Sequence, residues 1–300
     1  MNIIKTTSEL SQFCDYAYNF DYITVDTEFL RERTYYPKLC LIQLAIPGDQ
    51  ENSAVLIDPL ERNLDLSPLY KIFLDPDIVK VFHAARQDLE IFFHDKDIIP
   101  SPLFDTQLAA MVCGFGEQVG YETLVRSICK VNLDKSSRFT DWSLRPLSNK
   151  QQQYALADVT HLRQIYEYLK EQLKRNERET WLEEELNILK NPETYITRPN
   201  EAWRRIKSRS NSSKFLGIVA RLAEFRETYA QKNNILITHS GAISSALCFN
   251  KRLLKYFLKK ELNILSPKEI EYKDKIKFPV ISKPNWGGSS KGIKFLNNMK

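Results

Sequence analysis

Asp26 and Glu28 stand one residue apart inside the β-branched run YITVDTEFL, residues 22–30, where a strand ordinarily excludes charge. Successive side chains of a strand alternate faces, so the two carboxylates share one surface and Thr27 points to the other. At that separation carboxylates resist joint ionisation unless a proton, a basic partner or a cation sits between them. A third acid, Asp88, falls in the first turn of the helix that follows VFHA, a place the helix dipole favours for any carboxylate. Tyr154 and Asp158, in YALAD, are four residues apart on a long helical stretch and so lie on one face, with Cβ atoms about 5–6 Å apart. Each of these has an ordinary structural explanation by itself. Together they are four carboxylates and a phenol.

The elements that must carry them follow from periodicity. DYITVDTEF, LCLIQLAI, AVLIDPL and IVKVFHA read as short strands separated by the turn-prone RTYYPK, PGDQEN and LERNLDLSPLY. After residue 84 the spacing becomes helical, in ARQDLEIFFHD, DTQLAAMVCG, YETLVRSICK and the long LSNKQQQYALADVTHLRQIYEYLKEQLKRN. Ser148 opens the last of these as N-cap, with Gln151 completing a capping box. Strands followed by helices predict an α/β domain, a mixed sheet flanked by helices, over residues 1–175. Residues 176–200, which run into the Pro-containing NPETYITRPNEA of residues 191–202, are expected to be a linker to a basic tail over 201–300.

The chain has 300 residues, 43% of them hydrophobic, enough for a buried core. Its net charge of +5 conceals an asymmetry: residues 201–300 hold 21 Lys and Arg against 7 Asp and Glu, so the first 200 carry 22 against 31. An acidic body with a basic tail is an electrostatic footprint for nucleic acid. Five scattered cysteines without a CxxC spacing argue against structural zinc or a disulfide framework. No run of eighteen apolar residues and no signal-peptide pattern are present. A cytoplasmic protein with no membrane partner is expected, and a monomer is the favoured state.

The order DTE on a first strand, an Asp shortly after an FHA strand end, and YxxxD on a late helix resembles the DEDD 3′-to-5′ exonucleases of the tyrosine branch. VDTEFLRERTYYPKLCLIQL, FHAARQDLEIF, FDTQLAA and YALADVTHL are similar to the ribonuclease D family in particular, over roughly residues 1–230. The resemblance implies a ribonuclease H-like fold and makes Asp26, Glu28, Asp88 and Asp158 the ligands of two divalent cations, Mg2+ or Mn2+, which an all-oxygen cage prefers. It implies that Asp26 bridges the ions, that Glu28 and Asp158 complete the site on the nucleophile side, and that Asp88 acts mainly through bound water. Tyr154 would orient the attacking water, since a phenol with pKa near 10 is a poor base at neutral pH. The implied activity is stepwise removal of mononucleotides from RNA 3′ ends, with tRNA precursors as the substrate. A 3′-to-5′ exonuclease on single-stranded DNA and a non-catalytic nucleic-acid-binding protein are the alternatives.

Six further residues are candidates for contact with the substrate. Phe29 and Leu30 follow the acids and are placed to stack on a terminal base; Thr27 lies between the acids, and Gln43 is on the adjacent strand. Arg138, before the Tyr154 helix, is a candidate for a phosphate. His83 supports the Asp88 turn from the core and is grouped with the same candidates. Asp105 is read as the N-cap of its helix, and His94, His161 and His239 are given no metal site. In the tail, residues from about 201 to 234 are similar to the start of a small helical HRDC module. The chain beyond lacks the family's continuation, so the ending is read as truncated, diverged or shifted in frame, and WGGSSKG as a loop.

Overall fold

Among the described residues, the longest strand pairing joins the strand that bears Asp26 and Glu28, β2 (Tyr22–Leu30), to its antiparallel neighbour β3 (Lys38–Ala45). In this computed structural model the chain is described over residues 3–236, except residues 33, 51, 135, 138, 139 and 208–211, and again at 255, 259, 280–282 and 294–296. It divides into two compact units, Met1–Ile196 and Thr197–Lys300.

The first unit holds a six-stranded mixed sheet. Besides β2 and β3 it contains β1 (Ile3–Ile4), β4 (Ala54–Ile57), β5 (Val79–Phe82) and β6 (Leu103–Asp105), in the order β1-β4-β3-β2-β5-β6. β2, β3 and β4 form an antiparallel meander, and β5 and β6 extend it in parallel from β2. Among the described residues, seven α-helices accompany the sheet: α1 (Thr7–Ala17), α2 (Ser67–Leu74), α3 (Arg86–Lys96), α4 (Thr106–Val112), α5 (Tyr121–Leu124), α6 (Asn149–Arg175) and α7 (Glu179–Lys190). This is the mixed, helix-flanked α/β fold that the sequence predicts, with all four expected strands present.

Local chemistry explains where the helices begin. Thr6 and Glu9 form a reciprocal capping box on α1, and Ser148 and Gln151 form the expected one on α6. Asp105 caps α4 as expected, accepting from the amides of Gln107 and Leu108. Its carboxylate also accepts from the amides of Ala84, at 3.1 Å, and Ala85, at 2.8 Å, in the turn between β5 and α3. Ala84 takes a left-handed φ of 57° there, a conformation that costs a non-glycine residue energy. One buried side chain thus fixes the turn that aims the first residues of α3.

Four differences from the sequence reading have physical causes. β1 and β6 are two and three residues long, too short to show alternation. LERNLDLSPLY, expected as a turn, ends inside α2, whose Leu69, Tyr70, Ile72 and Phe73 are buried. YETLVRSICK, expected as one α-helix, is α-helical only over Tyr121–Leu124 and continues as a π turn over Val125–Cys129. The expected linker over 176–200 instead contains α7, whose Leu182, Leu186 and Leu189 belong to the main core together with Leu169 and Leu173 of α6.

Two arginines tie long-range pieces of this unit together. Arg163 of α6 donates to the carbonyl of Ile46 at 2.9 Å and to Ser53 Oγ at 3.1 Å, pinning the helix to the β3–β4 turn. Arg145 meets both oxygens of the buried Asp58 and donates to the Cys40 carbonyl at 2.7 Å. That arrangement fastens the loop before α6 to the ends of β3 and β4.

In the second unit, a 3-10 turn over Pro199–Arg205 lies against α8 (Ser213–Asn233), with Ala202, Ala223 and Ala230 buried and Arg205 paired to Glu227. The short strands β7 (Val280–Ser282) and β8 (Lys294–Leu296) pair antiparallel. WGGSSKG, His239 and most of the chain after residue 236 lie outside the described residues. No helix among the described residues is long and apolar enough to cross a membrane.

Candidate active site

Strand alternation and one long helix together bring the acids into a cluster. On β2 the residues Thr24, Asp26 and Glu28 share a face, and Thr24 Oγ1 donates to the carbonyl of Val159 on α6 at 2.8 Å. That bond lies one residue from Asp158. As a result Asp26, Glu28 and Asp158 each offer a carboxylate oxygen within 4.8 Å of the others, and all three are partly buried.

Asp88 is held differently. It is buried at the start of α3, and the hydroxyl of Thr27 donates to its Oδ1 in a short hydrogen bond. Thr27 points to the opposite face of β2 from Asp26, as alternation requires. Asp88 is therefore outside the three-carboxylate group, yet close enough for the Asp26 charge to act on it: burial, and then Asp26, push its carboxyl well above the usual range. Burial also pushes Asp26 up to about 7, against the pull of the Thr27 amide.

These shifts make the metal-free protein sensitive to pH. A carboxyl whose folded value exceeds its unfolded one favours the protonated native state, so its contribution to stability falls as pH rises from near 4 through about 7. Burial lowers the folded values of His83, His94 and His161, which gives the opposite trend through their ordinary range. The Asp26 contribution is isolated by difference. In EDTA, the Tm of Asp26→Asn minus that of wild type should be small near pH 4 and grow to a plateau above about pH 7. A difference that stays flat across that range would show that Asp26 is not strained by its surroundings.

Tyr154 is on α6, one turn before Asp158. Its ring lies 6.1 Å from that of the buried Trp142, in a small cluster with Cys40, Leu41, Leu56, Leu147 and Ala155. Tyr121 is a member of the neighbourhood that the sequence reading missed. Its hydroxyl donates to the carbonyl of Ala157 at 3.0 Å, and the charges of Asp158 and Asp26 help to hold its phenol protonated after burial has done most of that work. No spacing in the sequence announces it, because it reaches the site from a different helix 37 residues before Asp158.

The substrate candidates separate into several groups. Thr27 and Gln43 do not present their side chains to a ligand arriving from solvent: Thr27 is buried against Asp88, and Gln43, directly opposite Asp26 across the β2–β3 ladder, has 0% exposure. Phe29 is half-buried just past a register shift between Glu28 and Phe29, and Leu30 packs against the Trp142 cluster. His83 Nδ1 lies 3.0 Å from Thr106 Oγ1, with its ring 5.4 Å from that of Tyr121. Arg138 lies outside the described residues.

The donor set suits a hard divalent cation. It is made of oxygen alone, anionic, partly buried and convergent.

Comparison with known proteins agrees with this geometry. The family model described as 3′-5′ exonuclease matches residues 1–174. A ribonuclease D of Jannaschia sp. is 62% identical over 232 residues, 77% of this chain and 60% of that protein. One from Bartonella henselae is 47% identical over 239 residues, 80% of this chain and 58% of its own length. The crystal structure of Escherichia coli RNase D, described as an exoribonuclease involved in structured RNA processing, superposes with a TM-score of 0.69 at 34% identity, covering 78% of this chain and 62% of that one. The chain thus spans about 60% of the length of the curated relatives it matches. Asp26, Glu28, Asp88, Tyr154 and Asp158 all fall inside the matched 174 residues, and by that match the chain belongs to the 3′-5′ exonuclease family.

Proposed function

We propose that the protein is a metal-dependent 3′-5′ exoribonuclease that removes mononucleotides from RNA 3′ ends, with tRNA precursors among its substrates. The observation that carries this is the convergence of Asp26, Glu28 and Asp158 within 4.8 Å; similarity to proteins named ribonuclease D supports RNA over DNA as the substrate.

Asp26, Glu28 and Asp158 are the residues to hold two divalent cations, Mg2+ or Mn2+, with Asp88 acting through water. When bound, such a pair of ions activates a water and stabilises the leaving oxygen of an in-line phosphoryl displacement. The chain's own residues do the rest. Thr27 fixes the Asp88 carboxyl, Thr24 ties α6 to the strand that bears Asp26, and Tyr154, one helical turn from Asp158, orients the attacking water through its hydroxyl. Phe29 and Leu30, at the end of β2, are the residues to stack on the terminal base. His83, beside the Asp88 turn, and Arg138 complete the proposed contacts, Arg138 to a phosphate. The excess of 21 basic over 7 acidic residues after residue 200 supplies the salt-dependent grip on the RNA backbone, with α8 as the first helix of an HRDC-like module. The four described cysteines, Cys14, Cys40, Cys113 and Cys129, are unpaired, which supports a cytoplasmic setting.

The test is incubation of the purified protein with a 3′-labelled RNA and the DNA of the same sequence, with and without Mg2+. Labelled mononucleotide released from RNA only when Mg2+ is present is the expected result. Release from DNA alone would reassign the substrate, and hydrolysis undiminished in EDTA would sink the cation reading.

A further inference from the structure

Among the described residues, three buried side-chain polar atoms have no hydrogen-bond partner: Nε2 and Oε1 of Gln43 and Nε1 of Trp142. Both residues adjoin the candidate site, Gln43 opposite Asp26 and Trp142 beside Tyr154. Unpaired buried polar groups are costly and rare in native proteins. A wholly buried position on a central strand is one that an apolar side chain fills at no such cost, so an unused carboxamide there calls for a partner.

The ladder indicates which partner. Asp26 and Gln43 are direct cross-strand neighbours in the antiparallel β2–β3 pair, so their side chains rise from the same face with Cβ atoms about 4.5–5.5 Å apart. Glu28 has Leu41 in the corresponding place, and Asp158 comes from α6. Asp26 is therefore the acid of the cluster with a polar cross-strand neighbour. A carboxylate that ligates a cation keeps free lone pairs, and these are ordinarily filled by outer donors that hold its orientation. The amide of Gln43 has two N–H groups uncommitted.

We infer that Gln43 is a positioning residue for the reaction: its carboxamide becomes the outer hydrogen-bond donor to Asp26 when Asp26, Glu28 and Asp158 hold a cation. This rests on the cation-site reading above and reassigns Gln43 from direct substrate contact to the support of one ligand.

The test uses Gln43→Met in the full chain, a change that keeps volume and removes both polar atoms. Two quantities are measured without RNA: Mn2+ affinity by titration, and Tm in EDTA. Mn2+ should bind about 10–100-fold more weakly, while the metal-free Tm stays equal or rises, because the unpaired atoms are gone. A residue that merely braces the core would shift these the other way, lowering the metal-free Tm and leaving the affinity alone. Affinity within about twofold of wild type, or a metal-free Tm below that of wild type, overturns the inference. Wild-type protein that takes up no Mn2+ overturns the cation-site reading itself, a distinct failure. Should the variant not fold, the unmutated protein decides: the side-chain amide resonances of Gln43 should move as Mg2+ is added, and resonances that stay put overturn the inference.

Discussion

Asp26→Asn and Asp158→Asn are each expected to abolish RNA hydrolysis while leaving the fold intact. Each change removes one of three carboxylates whose oxygens lie within 4.8 Å, and an amide offers a cation a single neutral oxygen in place of an anionic pair. The loss should appear in the rate and not only in substrate affinity, because the charge acts on the reacting phosphate and not on the distant backbone of the RNA. Circular dichroism should show unchanged secondary structure, and Asp26→Asn should melt no lower than wild type in EDTA, since it relieves a buried carboxyl already pushed up to about 7. Nuclease assay and melting on the same preparations settle the matter. Either variant keeping more than about a tenth of the wild-type rate, a barrier change under about 1.4 kcal/mol, removes that residue from the proposed cation site.

A complete block is expected when the 3′ end is taken away. If the site closes around one terminal nucleotide, a circular RNA or one ending in a 3′-phosphate should resist degradation under conditions where the linear, 3′-hydroxyl form is consumed one mononucleotide at a time. Product lengths on a sequencing gel and the ratio of mononucleotide to longer fragments measure this directly. Cleavage of the circle would mean that the acids serve an internal cut, and the exonucleolytic reading would have to be given up.

The site was legible in the sequence where its logic is local. Alternation along β2 is enough to put Asp26 and Glu28 on one face, the α-helical repeat puts Tyr154 above Asp158, and Ser148 and Asp105 cap the helices that their positions suggest. It was illegible where the logic is long-range. Thr27 and Asp88 are 61 residues apart, and nothing in either neighbourhood says that the hydroxyl meets the carboxylate. Gln43 reads as a polar residue awaiting a substrate, and only the β2–β3 register shows that it stands opposite Asp26, and only burial that it is closed off from solvent. The helix over Glu179–Lys190 does not stand out in the sequence because ETWLEEELN carries four glutamates in nine residues; its three leucines fall at positions 182, 186 and 189, a spacing that becomes meaningful once Leu169 and Leu173 of α6 stand beside them.

That helix sets the limit for dissecting the protein. The matched exonuclease model ends at residue 174, but the compact unit runs to Ile196, so the part that defines the family is shorter than the segment that must fold together. A fragment trimmed to the end of that match would leave the sockets of Leu182, Leu186 and Leu189 open to water and present α6 with a greasy, unclothed flank. Anyone isolating the nuclease body, or grafting it onto another carrier, should cut after Ile196, where the chain leaves the core and a new partner can be joined without stripping it.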